Sequence, residues 1–173
     1  MADNETKGAP AGDGLDAGTG TQFALKRIFL KDLSFELPMG AQAFTRQWAP
    51  QVNQDIGTEV KKVDDEHYEV VLRLTITVAE GDDTAYLIEV QQAGIFMAQG
   101  FEPAQLAQLA QLLNTQCPAI LFPYARELID SVSVRGSFPA LMLPPINFDA
   151  LFQQAVAEQR NKADEAQPAN KLN

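Results

Sequence analysis

The stretch His67–Phe96, HYEVVLRLTITVAEGDDTAYLIEVQQAGIF, holds two runs of period two on either side of a short acidic turn. In the first run Tyr68, Val70, Leu72, Leu74, Ile76 and Val78 alternate with Glu69, Arg73, Thr75 and Thr77. In the second, Tyr86, Ile88 and Val90 alternate with Leu87, Glu89 and Gln91. Successive side chains of a strand point to opposite faces, so each run has one apolar and one polar face. EGDD between them has the length and composition of a hairpin loop. The pattern predicts antiparallel strands covered on one side only.

Upstream, QVNQDIGTEVKKV (residues 51–63) places Val52, Ile56 and Val60 on one face with Gln54 and Thr58, and the acidic turn VDDE joins it to the hairpin. Further upstream, QFALKRIFLKDLSFELP (residues 22–38) alternates in its second half: Leu33, Phe35 and Leu37 share one face, Asp32, Ser34 and Glu36 the other. The connection between these two strands, MGAQAFTRQWAP (residues 39–50), is too long for a tight hairpin. It can carry the chain across the sheet, so the first strand need not neighbour the second. It also contains Phe44 and Trp48, large apolar side chains that a plain surface loop does not need.

Helices follow the strands. Glu102 and Pro103 mark a helix start, with proline at the first helical position. Leu106, Leu109, Leu112 and Leu113 form a stripe that Pro118 and Pro123 interrupt or kink, and the pattern resumes through Tyr124, Leu128, Ile129 and Val132 to a C-terminal glycine, Gly136. SFPALMLPPI (residues 137–146) is an apolar linker, after which Asn147 caps a last helix with Phe148, Leu151, Phe152, Ala155 and Val156 on one stripe. Strands followed by helices predict an α+β domain with the helices on one face of an antiparallel sheet. We expect it to span residues 21–160. Residues 1–20 and 161–173 hold little to bury and read as disordered tails, the first of them acidic.

The chain has 173 residues, a net charge of −10 and a single cysteine. The acidity argues against nucleic acid and against an anionic membrane surface. One cysteine rules out an internal disulfide framework and a thiolate-rich metal site, which fits a reducing compartment. The N-terminus lacks the basic and apolar regions of a signal peptide, and no run reaches transmembrane length, so the cytoplasm is the expected location. Phosphate-binding, zinc-protease and hydrolase signatures are absent, and no cofactor or metal is expected. His67 starts a strand beside an acidic turn and reads as a solvated strand residue; Cys117 reads as an inert thiol at a helix break. Asp32 and Glu36 lie about 13 Å apart on an extended strand at about 3.3 Å per residue. Glycosidase pairs need roughly 5–9.5 Å, so these two acids cannot act together as catalysts. By themselves they are consistent with the wet side of a strand.

Apolar matter left over from the elements is harder to dismiss. Phe44 and Trp48 in the first connection, and Phe138, Leu141, Met142, Leu143 and Ile146 in the linker, can close the sheet edges as satellite core. They can equally wall a groove for extended or unfolded chains.

KDLSFELP, YEVVLRLTITV, YLIEVQQAGIF, CPAILFPYARELI and RGSFPALMLPPINFDALF, in this order over about residues 23–152, resemble the SecB family of bacterial protein-export chaperones. The resemblance implies a non-enzymatic, ATP-independent holdase that keeps unfolded secretory preproteins from folding and hands them to the SecA motor at the translocon. It implies strand order 1-4-3-2, two main helices on one face, and a homotetramer built as a dimer of dimers with the first helix at the dimer–dimer interface. It further implies a docking surface for the zinc-binding C-terminal tail of SecA at Asp32, Glu36, Leu87 and Glu89, the zinc belonging to the partner. A preprotein groove is expected at Phe44, Trp48, Phe138, Leu141 and Leu143. The alternative is an oligomeric adaptor that binds one specific partner through its acidic sheet face.

Overall fold

The computed structural model describes residues 20–45 and 48–165. Most of the tails expected at 1–20 and 161–173 lies outside these residues. Four strands, β1 (Gln22–Glu36), β2 (Gln51–Lys62), β3 (His67–Glu80) and β4 (Asp83–Gln99), form one antiparallel sheet in the order β1-β4-β3-β2. The meander of β2, β3 and β4 and the crossing by the first connection are as the sequence predicts. The connection carries a short 3₁₀ turn, Gly40–Phe44.

The faces follow the alternation. Val70, Leu72, Leu74, Ile76 and Val78 of β3 and Tyr86, Ile88, Val90 and Phe96 of β4 are buried. The register of β1 on β4 slips at Leu25/Arg27 and at Leu30/Asp32. A bulge adds one residue to a strand and so exchanges the faces of the residues beyond it. Ile28 and Leu30 stand opposite Gly94 and Gln92 of the inner face, whereas Asp32, Ser34 and Glu36 stand opposite Gln91, Glu89 and Leu87 of the open face. The slip at Lys31 therefore puts the acids outside while both apolar sets stay inside. The buried Gln92 side-chain amide donates to the Phe29 carbonyl at 2.9 Å beside this slip.

Helix α1 (Leu106–Asn114) and helix α2 (Gln116–Arg135) cover the inner face, and α3 (Phe148–Glu165) follows the linker. The first long helical pattern is divided at Thr115, ahead of Pro118 rather than at it. Pro118 falls in the first turn of α2, where an amide donor is not needed. Glu102 caps the 3₁₀ turn Pro103–Gln105 with a reciprocal capping box, so the proline start opens that turn rather than α1 itself. Leu109, Leu113, Cys117, Leu121, Ala125 and Ile129 pack on the sheet. Gly94 admits α2: a Cβ there would lie 3.1 Å from Leu121 Cδ2 and 2.8 Å from the Phe96 ring. Asn147 caps α3 through its side-chain oxygen, which accepts the Ala150 amide at 3.0 Å. Of the expected α3 stripe only Phe148 is buried, while Leu151 is exposed. Among the described residues no helix is long and apolar enough to cross a membrane.

Candidate functional site

Two surfaces share the β1–β4 pair, one on each face. On the open face Glu36 stands opposite Leu87, Ser34 opposite Glu89 and Asp32 opposite Gln91. The four residues expected to dock a partner therefore form one cross-strand patch, with Asp32, Glu36 and Glu89 exposed and Leu87 half-buried. The Ser34 hydroxyl donates to Glu89 Oε2 at 3.4 Å, a weak tether. On β3, Thr75 is opposite both Glu89 and Asp55 of β2, and a shallow depression of about 400 Å³ is lined by Asp32, Asp55, Arg73, Thr75, Glu89 and Gln91. Arg73, the cation in this depression, is ion-paired with Glu59. Its charge is offset, and the carboxylates of Asp32, Asp55 and Glu89 set the sign of the surface. Asp55 is not among the residues expected from the sequence, although its alternation against Ile56 places it outward.

On the inner face, Phe35 and Tyr86 alternate with Glu36 and Leu87 and begin an aromatic cluster. Their ring centroids are 5.7 Å apart. Tyr86 lies 4.4 Å from Phe138, and Phe138 lies 5.1 Å from both Phe44 and Trp48. The structure thus joins the first connection to the linker through stacked and tilted rings, a geometry favoured by their quadrupoles. Burial grades the cluster: Tyr86 is 0% exposed, Phe138 5% and Phe44 51%. Phe138 and the buried Leu143 form a floor, Leu141 and Trp48 are half-buried, and Phe44 is the open rim. The Tyr86 hydroxyl is buried beside Ser133 without a hydrogen bond of normal geometry, and burial raises its pKa above the ordinary phenol range. A separate groove of about 970 Å³ runs between the linker and α2, with Phe122, Pro123, Val134 and Ile146 in its wall and Arg126 and Asp130 among its polar groups.

Cys117 is buried, and desolvation raises its pKa far above that of a reactive thiol. His67 Nδ1 lies 2.9 Å from Asp64 Oδ1, an orienting carboxylate that the sequence pattern alone does not reveal. That carboxylate also accepts the backbone amides of Glu66 and His67, so it organises the β2–β3 turn. The same bonds, chiefly that from Glu66, lower the pKa of Asp64. Among the described residues no group of three or more His, Cys, Asp or Glu is placed to hold a metal ion.

Comparison with known proteins agrees with this architecture. Residues 16–159 match the family described as Preprotein translocase subunit SecB. The Protein-export protein SecB of Hahella chejuensis is 58% identical over 147 residues, covering 85% of this chain and 89% of that one. The same-named protein of Pseudomonas syringae pv. tomato is 45% identical over 168 residues, covering 97% and 98%. Among solved structures, a SecB-like chaperone of Mycobacterium tuberculosis in complex with a ChAD peptide from an antitoxin aligns with a TM-score of 0.59 at 14% identity, over 72% of this chain and 90% of that one. At that identity the likeness speaks for the fold alone. Match length, identity and strand order agree, and the chain belongs to the SecB family of protein-export chaperones.

Proposed function

We propose that this chain is an ATP-independent holdase that takes up unfolded secretory preproteins on the aromatic surface between the first connection and the linker, and passes them to SecA through its acidic sheet face. The observation that carries the reading is the aromatic cluster itself. Phe44, Trp48 and Phe138 come from segments with no strand or α-helix of their own; Phe44 and Trp48 converge on Phe138, which in turn packs on Tyr86 of the sheet. Aromatic and aliphatic surface with few directional hydrogen bonds discriminates little between sequences. It favours non-native chains, because only these expose enough apolar side chains to fill it.

The acidic patch supports the second half of the reading. Carboxylates arrayed on a flat sheet suit a basic segment such as a zinc-stiffened tail, with complementarity aiding encounter and register more than raw affinity. The test is suppression of aggregation. Substoichiometric to equimolar tetramer should hold several unrelated unfolded chains in solution without nucleotide. Failure on all of them, with tight binding of one folded partner, would favour the adaptor alternative.

A further inference from the structure

Residues 136–147 join α2 to α3; after a turn at 136–138 the linker has no regular secondary structure. Within it Met142 has φ +50°, a left-handed conformation, and its side chain is 70% exposed. A residue with a Cβ disfavours that region by roughly tenfold, and methionine lacks the short polar side chain with which asparagine or aspartate offsets part of the cost. Something outside residue 142 must hold it there. The Met142 side chain is in water and offers little anchorage. Its amide, however, donates to Oδ1 of Asp130 at 2.9 Å. Asp130 is half-buried on α2, one residue after the buried Ile129 and three before Ser133, whose hydroxyl donates back to the Ile129 carbonyl at 2.9 Å. The carboxylate is thus mounted on a rigid, well-packed helix, and its hydrogen bond is charge-assisted.

The left-handed residue lies between the two leucines expected in the client surface. Leu143 is buried and Leu141 half-buried in the same core cluster as Phe138. Both flanking leucines are thus on the protein side of the linker while Met142 is on the solvent side.

We propose that Asp130 is a latch for the linker that walls the client surface: by holding the Met142 amide it fixes the linker in the conformation that seats Phe138 and Leu143 as the floor of that surface, with Leu141 beside them. Asp130 is a positioning residue in this scheme and need not touch the client. The inference rests on the reading of the aromatic cluster as the client surface. It deepens that reading by making the strength of client binding depend on a linker conformation.

The test is a double-mutant cycle on the full-length protein, with a permanently unfolded probe such as reduced, carboxymethylated lactalbumin. Asp130→Ala should weaken probe binding about fivefold to tenfold, by the population that the left-handed residue loses without its anchor. Asp130→Asn keeps an acceptor oxygen and should stay within about twofold of wild type. On a Met142→Gly background the left-handed conformation meets no Cβ, so adding Asp130→Ala should cost less than about twofold. Trp48, the one tryptophan of the chain, packs on Phe138 and gives a second readout. Its emission should shift to the red in Asp130→Ala and return in Asp130→Asn. Equal losses from Asp130→Ala on both backgrounds, or no loss on either, overturn the latch. Failure of the wild type to bind the probe overturns the client reading instead.

Discussion

Gly136 shows how one residue can be right for the wrong reason. A glycine after an apolar helical stripe predicts a left-handed C-terminal cap. Its φ is −74°, open to any residue, and the left-handed position is Ser137 at +67°. What excludes a side chain at 136 is the Phe35 ring, because a Cβ there would lie 2.5 Å from Phe35 Cζ. Phe35 in turn packs against Tyr86, so it has no simple retreat. Gly136→Ala should therefore destabilise the fold by about 1–3 kcal/mol, the usual cost of overpacking. Denaturant unfolding measures this, and an unchanged midpoint would show that the ring moves freely. No sequence pattern could reveal the contact, since residues 35 and 136 are brought together only by tertiary packing.

Among the elements, β1 decides where the acids go. Its apolar residues change phase along the sequence, from Ile28 and Leu30 to Leu33, Phe35 and Leu37. That change is legible without coordinates, and it marks the register slip at Lys31. The strand faces are readable because burial on one side forces strict alternation. The helices are less so. Leucine periodicity runs through the break at Thr115, and the stripe on α3 is mostly unburied. The candidate surfaces are legible in part: the sequence names their residues, but not that Phe138 is a floor and Phe44 a rim, nor that Asp55 joins the acids. The two surfaces use opposite faces of the same strand pair. Asp32→Lys with Glu89→Lys should weaken binding of the SecA tail about tenfold or more at low salt, with the loss falling mainly on the association rate. Binding of unfolded chains should change little, because both side chains point away from the aromatic cluster. Parallel titrations of the variant with tail peptide and unfolded probe check this, and equal loss of both would contradict separate surfaces.

For the whole molecule, the uncovered apolar surface is informative. Leu25 and Leu30 on the inner side of β1, Leu106 on α1, and Ile120 and Tyr124 on α2 are each 40% exposed or more. Side chains of this kind are what a second copy of the chain would cover if they are contiguous in the assembly. They fit the homotetramer expected from the family resemblance, with α1 between sheets. Light scattering should report about four times the 18.9 kDa chain mass; a monomer at micromolar concentration would contradict the expected assembly.

Trp48 lies within the aromatic cluster proposed to bind unfolded chains, so it reports binding at the site itself. The measurement is a titration of the wild-type protein, at constant ionic strength and without nucleotide, with one client chain in its native and in its permanently unfolded form. Trp48 emission is followed throughout. A saturable change in Trp48 emission is expected with the unfolded form, at a stoichiometry matching the bound complex, and none with the native form. Binding of the unfolded form that leaves Trp48 unchanged would place the client elsewhere, and an equal response to the native form would contradict the holdase.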